Sequence, residues 1–116
     1  ALPVVIVTNG HAQVQRSRIG RTPLVQYISD LVISEEVGFN KPDPRIIFKA
    51  LERNGGVRPE RALMVGDSLT SDMRAGLNAG VDTCWYNPSG QESPNDMEIH
   101  YIVETLGQIV PIALQN

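Results

Sequence analysis

The hydrophobic positions of this chain fall into five short runs, separated by polar turns and by segments with helical periodicity. Four of the runs are continuous rather than alternating, which is typical of strands covered on both faces in a parallel sheet. Strands and helices alternate along the chain, so the pattern predicts an α/β fold with a parallel sheet, flanking helices and right-handed crossovers. The predicted strands cover residues 2–7, 30–33, 62–65, 83–86 and 99–103.

Two helices are marked by their boundary residues. One begins at Asp43, a good N-cap, has Pro44 at its first position and stops at Gly55. The other covers residues 71–79, is capped by Thr70 or Ser71, and carries small side chains that would let it lie close to the sheet. Weaker patterns predict helices at residues 12–19 and 104–114, the second interrupted by Pro111.

Length and composition limit the classes of protein that the chain can belong to. A chain of 116 residues with 41% hydrophobic and 20% charged residues fits one globular domain, residues 1–116. The net charge of -3 argues against a nucleic-acid polymer as partner. Without a long apolar stretch or a signal pattern, and with Cys84 as the one cysteine, we expect no membrane association, no internal disulfide and a cytoplasmic location.

The polar residues that follow the strands are the candidates for chemistry, because ligands of open α/β sheets bind at the carboxyl ends of the strands. Thr8, Asn9 and Gly10 follow the first strand and offer a hydroxyl, an amide and a flexible backbone to a phosphate oxygen. A plain turn explains the Asn-Gly pair as well.

Asp67 and Asp72 follow the third strand through Gly66, with hydroxyl residues between them. Two carboxylates on a strand-to-helix turn can share one hard cation, and Mg²⁺ fits this pattern. A purely structural role is also possible, with Asp67 ending a strand and Asp72 complementing a helix dipole.

Lys41 precedes two prolines, Pro42 and Pro44, which fix the direction of the backbone as it enters a helix. An ammonium held at such a junction can point into the cleft at the strand ends and neutralise charge there. A loop lysine in this place can equally be solvated and without a role in catalysis.

Together the three motifs resemble the haloacid dehalogenase-like (HAD) superfamily in their order and approximate spacing, over nearly the whole chain. In that superfamily a Ser or Thr ends a strand, a Lys precedes a helix, and an acidic pair follows a later strand. The matching stretches are Val7-Thr8-Asn9-Gly10, Lys41-Pro42-Asp43-Pro44 and Gly66-Asp67-Ser68-Leu69-Thr70-Ser71-Asp72.

The resemblance implies a Rossmann-like HAD core and a Mg²⁺-dependent phosphatase acting on a small phosphorylated substrate. Lys41 would then be catalytic, steadying the phosphoryl group and the nucleophile. The other motif residues would be binding residues: Thr8, Asn9 and Gly10 for the substrate phosphate, and Asp67 and Asp72 for the metal.

Two further stretches, residues 32–38 and 79–87, resemble a bacterial group of noncanonical pyrimidine 5'-nucleotidases. N-acylneuraminate-9-phosphatases are similar too, so a nucleoside monophosphate and a sugar phosphate are both candidate substrates. The same motifs would also suit a non-catalytic phosphate-binding module or one half of a split assembly. The turn at residues 20–24 departs from the family's usual short Gly-Leu turn.

One superfamily motif is missing. Asp-x-Asp, which supplies the nucleophile and the acid/base, does not occur in these 116 residues. The resemblance places its strand centrally, between the strands predicted at 2–7 and 62–65, and places a cap after it. We therefore expect that this chain alone is inactive and that an upstream segment or a partner chain completes the sheet and the active site.

Overall fold

In the residues that the computed structural model describes, 3–20 and 29–114, five strands form two parallel sheets. Every strand pair is parallel, which confirms the predicted α/β class. Backbone hydrogen bonds within this part of the chain do not join β1 to β3. The first sheet pairs β1 (Val5–Thr8) with β2 (Asp30–Ile33), and the second has the order β3 (Leu63–Gly66), β4 (Asp82–Tyr86), β5 (Tyr101–Val103).

The predicted strand boundaries agree with the structure to within one or two residues at most ends. Residue 2 of the first run and residues 21–24 of the atypical turn lie outside the described residues. The prediction for the last run is two residues too long. His100 precedes β5 because its Nδ1 accepts a hydrogen bond from the backbone N–H of Thr83 at 3.0 Å, at the edge of β4.

Helices cover the segments between the strands. Their bounds are Ala12–Gly20 (α1), Ser34–Val37 (α2), Arg45–Arg53 (α3), Arg74–Ala79 (α4) and Ile109–Ala113 (α5). Shorter turns are 3-10 helical at Pro59–Arg61 and Leu106–Gln108 and π-helical at Leu69–Met73. The sequence pattern does not predict α2, because four residues are too few to show a helical period. Within the described ranges, every helix is too short or too polar to cross a bilayer.

Three of the predicted helix boundaries need correction. Pro44, and not Asp43, is the N-cap of α3, which begins at Arg45. The turn before α4 is capped by Ser68, whose Oγ accepts a hydrogen bond from Ser71 N at 3.1 Å, and not by Thr70 or Ser71. Pro111 lies inside α5 and does not interrupt it. It occupies the first turn, where a backbone N–H would have no partner within the helix.

The main hydrophobic core lies between the helices and both sheets, so side-chain packing joins the two sheets. Its members come from β2, α3, α4 and the loop before β4, and Val5, Val7 and Met64 of the neighbouring strands pack against it. The buried members are Val32, Ile46, Ile47, Ala50, Ala75, Ala79 and Val81. Gly76 confirms the predicted close approach of α4, since a Cβ at this position would lie 2.7 Å from Thr83 Cγ2.

Candidate active site

The carboxyl ends of β1 and β3 carry two of the predicted motifs, and Lys41 lies between them. Thr8 is the last residue of β1, and Asp67 follows the last residue of β3. Asp72 lies on the π-helical turn after β3 and is buried, whereas Asp67 is exposed. The strands position these residues from two different sheets.

Lys41 and Asp72 form an ion pair. The Nζ of Lys41 lies 2.5 Å from Oδ1 of Asp72, and the two side chains are 11% and 12% exposed. A charged pair this far removed from water is held by its mutual attraction and by further hydrogen bonds. Asp72 has such a bond, because Ser68 N donates to its Oδ2 at 3.3 Å.

Asn9 holds the backbone of Lys41. Its Oδ1 accepts a hydrogen bond from Lys41 N at 2.8 Å, and its Nδ2 donates to Lys41 O at 3.1 Å. Asn9, Lys41 and Asp72 are therefore joined in a continuous chain of polar contacts across the space between β1 and β3. The structure thus brings together one residue from each of the three motifs.

The loop after β1 is fixed from several sides. Gly10 N donates to the hydroxyl of Ser34, the first residue of α2, at 2.9 Å, and Gln15 Nε2 donates to Asn9 O at 3.2 Å. The hydroxyl of Thr8 donates to Asn9 O at 3.1 Å. Because this loop has one defined shape, its polar groups are presented in a fixed arrangement.

The turn after β3 is shaped by two close contacts. A Cβ at Gly66 would overlap Oδ2 of Asp72, so only glycine lets this carboxylate fold back over the strand end. The indole Nε1 of Trp85, on the neighbouring strand β4, donates to the backbone carbonyl of Asp67 at 3.1 Å. Trp85 is buried, and it fixes the backbone that carries Asp67.

A pocket of about 510 Å³ opens beside the loop after β1. His11 and Glu35 lie on its rim, with Nδ1 of His11 2.7 Å from Oε2 of Glu35. The hydrogen bond to His11, and then that from Ala12 N, lower the pKa of the Glu35 carboxyl. The pocket is lined by Asn9, Gly10, His11, Ser34, Glu35, Gly38 and Asn40.

The residues of the turn after β3 fit a hard cation in chemistry but do not enclose one. Asp67 offers an exposed carboxylate, and oxygen ligands of this kind suit Mg²⁺, which keeps several waters. Both oxygens of Asp72 already accept hydrogen bonds, from Lys41 and Ser68. Among the described side chains, His, Cys, Asp and Glu form no group of three that could hold a metal ion.

Several contacts of this site are not evident from the sequence. The pairing of Ser34 with Gly10 and of Trp85 with Asp67 joins residues 24 and 18 positions apart, and neither type of pair has a local sequence signal. Ser34 does follow a strand directly, and polar residues in this position are the candidates that the sequence indicates for the site. Cys84 is buried, and this burial raises the pKa of its thiol, so it is unsuited to nucleophilic chemistry.

Sequence comparison with known proteins finds relatives in one family. Residues 1–86 match the family model described as haloacid dehalogenase-like hydrolase. The chain is 43% identical over 104 residues to the pyrimidine 5'-nucleotidase YjjG of Escherichia coli, and the aligned region covers 90% of this chain and 46% of that protein. It is 35% identical over 115 residues to the N-acylneuraminate-9-phosphatase of Mus musculus, and here the aligned region covers 97% of this chain and 46% of that protein.

A solved structure shows the same fold. The HAD-hydrolase YfnB of Bacillus subtilis, bound to magnesium, superposes with a TM-score of 0.90 at 33% identity, over 97% of this chain and 50% of that one. The chain thus spans about half the length of the relatives that it matches. Because residues 1–86 match this family model, the chain belongs to the haloacid dehalogenase-like hydrolase family.

Proposed function

We propose that the chain is the C-terminal part of a Mg²⁺-dependent phosphomonoester hydrolase that acts through an aspartyl-phosphate, with the nucleophile supplied from upstream. The observation that carries this proposal is the contact chain from Asn9 through Lys41 to Asp72. It links the phosphate, lysine and acidic motifs of the family in one place.

A role is proposed for each motif residue. The hydroxyl of Thr8 and the loop at Asn9 and Gly10 bind the oxygens of the phosphoryl group, and for Gly10 this requires that its N–H exchange the Ser34 hydroxyl for the phosphate. The ammonium of Lys41 faces the same strand ends and offsets negative charge between the nucleophile and the phosphate.

The acidic turn is the proposed cation site. Asp67 would hold the Mg²⁺, and Asp72 would be a ligand directly or through a water. When bound, the cation neutralises charge on the phosphoryl oxygens. The remaining ligands would come from water and from the upstream segment or partner chain that would also complete the sheet between β1 and β3.

A nucleoside 5'-monophosphate is the proposed substrate. This proposal rests on the relatives YjjG and PynA of Streptococcus pneumoniae, both named as pyrimidine 5'-nucleotidases and 43% and 40% identical to the chain. The pocket beside the loop after β1 is large enough for part of a leaving group of this size. The similarity to N-acylneuraminate-9-phosphatase makes a sugar phosphate the second candidate.

The test is phosphate release by the full-length protein from a panel of nucleoside and sugar monophosphates, with and without Mg²⁺. We expect Mg²⁺-dependent turnover that Asp67→Asn lowers by about a hundredfold or more. Asp82→Asn is the matched control, because Asp82 begins β4 at the opposite edge of the sheet. Hydrolysis that is unaffected by Asp67→Asn, or no hydrolysis of any ester, would overturn the proposal.

A further inference from the structure

The side chain of Asn9 spends its acceptor and one of its donors on a single residue. Oδ1 accepts from Lys41 N and Nδ2 donates to Lys41 O, at 2.8 and 3.1 Å. We infer that Asn9 is a positioning residue, whose side chain sets the direction of Lys41 rather than binding the substrate phosphate itself. Its meaning for catalysis rests on the proposed function.

The backbone of Lys41 needs such a partner. Lys41 lies in the irregular segment between α2 and α3, where strand and helix ladders do not satisfy its N–H and C=O. Pro42 and Pro44 remove two further backbone donors from the same segment. A backbone group left unpaired in a part-buried position is costly, so the two bonds from Asn9 replace a ladder that the segment lacks.

Two contacts therefore fix the position of Lys41, one at its backbone and one at its side chain. Its backbone is fixed by Asn9, and its ammonium is fixed by Asp72 at 2.5 Å. A lysine side chain has four rotatable bonds and loses its direction readily when one end is released. Holding both ends restricts the ammonium to the cleft between β1 and β3.

Asn9 can act as an anchor because it is itself held. Its carbonyl accepts hydrogen bonds from Gln15 and Thr8, and the next residue is bonded to Ser34. The anchor therefore belongs to the first sheet, while Asp72 belongs to the turn after β3 in the second. Removing the Asn9 side chain should release Lys41 without unfolding either sheet.

A double-mutant cycle in the full-length protein tests this inference. We expect Asn9→Ala to lower kcat about tenfold or more while KM changes less than about threefold, because the lysine acts in the transition state. In a Lys41→Ala background the same change should cost less than about twofold, since its effect passes through the lysine. If Asn9→Ala lowers kcat by the same factor in the wild type and in Lys41→Ala, the result contradicts the inference and favours direct phosphate binding by Asn9.

Asn78→Ala is the matched control. The amide of Asn78 also donates to this segment, at 3.2 Å, but to the backbone carbonyl of Pro42 and not to Lys41. We expect its kcat to stay within about twofold of the wild type. A loss equal to that of Asn9→Ala would show that general tethering of the segment matters, and would overturn the specific role of Asn9.

A second measurement needs no enzymatic activity. Residues 1–116 contain two lysines, Lys41 and Lys49, and Lys49 is 46% exposed at its side chain. Reductive methylation followed by peptide mass spectrometry should modify Lys41 several-fold more slowly than Lys49 in the wild type. Asn9→Ala should raise the rate at Lys41 several-fold and leave Lys49 unchanged, with Asn9→Asp intermediate because it keeps the acceptor.

The two readouts separate the possible failures. If the wild type hydrolyses no ester but Asn9→Ala exposes Lys41 to methylation, the proposed function falls and the positioning contact stands. If the wild type is active but Asn9→Ala leaves the Lys41 methylation rate and kcat unchanged, the positioning role falls alone. Should Asn9→Ala fail to fold, Asn9→Asp takes its place in both measurements.

Discussion

The ammonium of Lys41 and the carboxylate of Asp72 lie 2.5 Å apart and are both almost fully removed from water. Lys41→Met leaves the Asp72 charge without its partner, and we expect the free energy of unfolding to fall by about 3 kcal/mol. Asp72→Asn added to Lys41→Met should recover part of this loss. Urea denaturation followed by circular dichroism measures each value.

Lys49→Met is the control for that prediction, because its Nζ lies 3.8 Å from Glu52 in an exposed pair. Such pairs contribute little, and we expect a change below about 0.5 kcal/mol. Equal losses for the two lysine variants would show that burial of the Lys41 pair has no energetic consequence.

Gly66 lies so close to the carboxylate of Asp72 that no side chain fits at position 66. Gly66→Ala places a Cβ in overlap with Oδ2 of Asp72, so the carboxylate must move. We expect a loss of about 1–3 kcal/mol in unfolding free energy, typical of overpacking. Gly107→Ala, whose Cβ would meet no atom within 4 Å, should be close to neutral in the same denaturation experiment.

Glu35 should make stability depend on pH. Its contacts with His11 and Ala12 lower the pKa of this carboxyl in the folded chain. The contacts therefore stabilise the folded chain at pH values above the pKa of the unfolded chain, and this stabilisation is lost as the pH falls through the folded-state pKa. Glu35→Gln should therefore melt below the wild type at pH 7, with a smaller difference at pH 3. Glu98→Gln is the control, because Glu98 is an exposed residue of the loop before β5. A difference that is the same at both pH values contradicts this assignment.

Trp85 contributes both packing and a hydrogen bond, and a conservative substitution separates them. Trp85→Phe removes the donor to Asp67 O and keeps most of the apolar contact with Met73 and Met97. We expect it to cost about 1–3 kcal/mol, because a carbonyl loses its partner and some volume is left empty. Trp85→Ala should cost more, about 3–5 kcal/mol, and far-ultraviolet circular dichroism on denaturation measures both. Equal losses would mean that the hydrogen bond carries the whole effect.

Much of the fold is predictable because its signals are local. The run at 30–33 gives the bounds of β2 without error, and Asp43 with Pro44 marks the start of α3 to within one residue or two. Such signals depend only on neighbouring residues, on burial along a strand or on the groups that cap a helix. The short α2 and the cap at Ser68 escape prediction because polar residues at strand ends fit a loop equally well.

The candidate site is predictable in its members but not in their contacts. Motif order singles out Lys41 and Asp72, yet the sequence does not indicate that they form a buried pair. The side chain of Asn9 is the sharper example, since its partner lies 32 positions away and is a backbone group. Every residue except proline offers the same backbone N–H and C=O. A side chain that bonds to these groups therefore does not restrict the type of its partner residue, and the sequence shows no pattern for the pair.

The division of the strands into two sheets has a consequence for the ion pair. The sheets share a core but no ladder within the described residues, so side-chain and loop contacts connect them. Asn9 fixes the Lys41 backbone to the first sheet, while Asp72 follows β3 of the second. The ion pair between Nζ of Lys41 and Oδ1 of Asp72 therefore connects a loop held by the first sheet to a turn that follows a strand of the second.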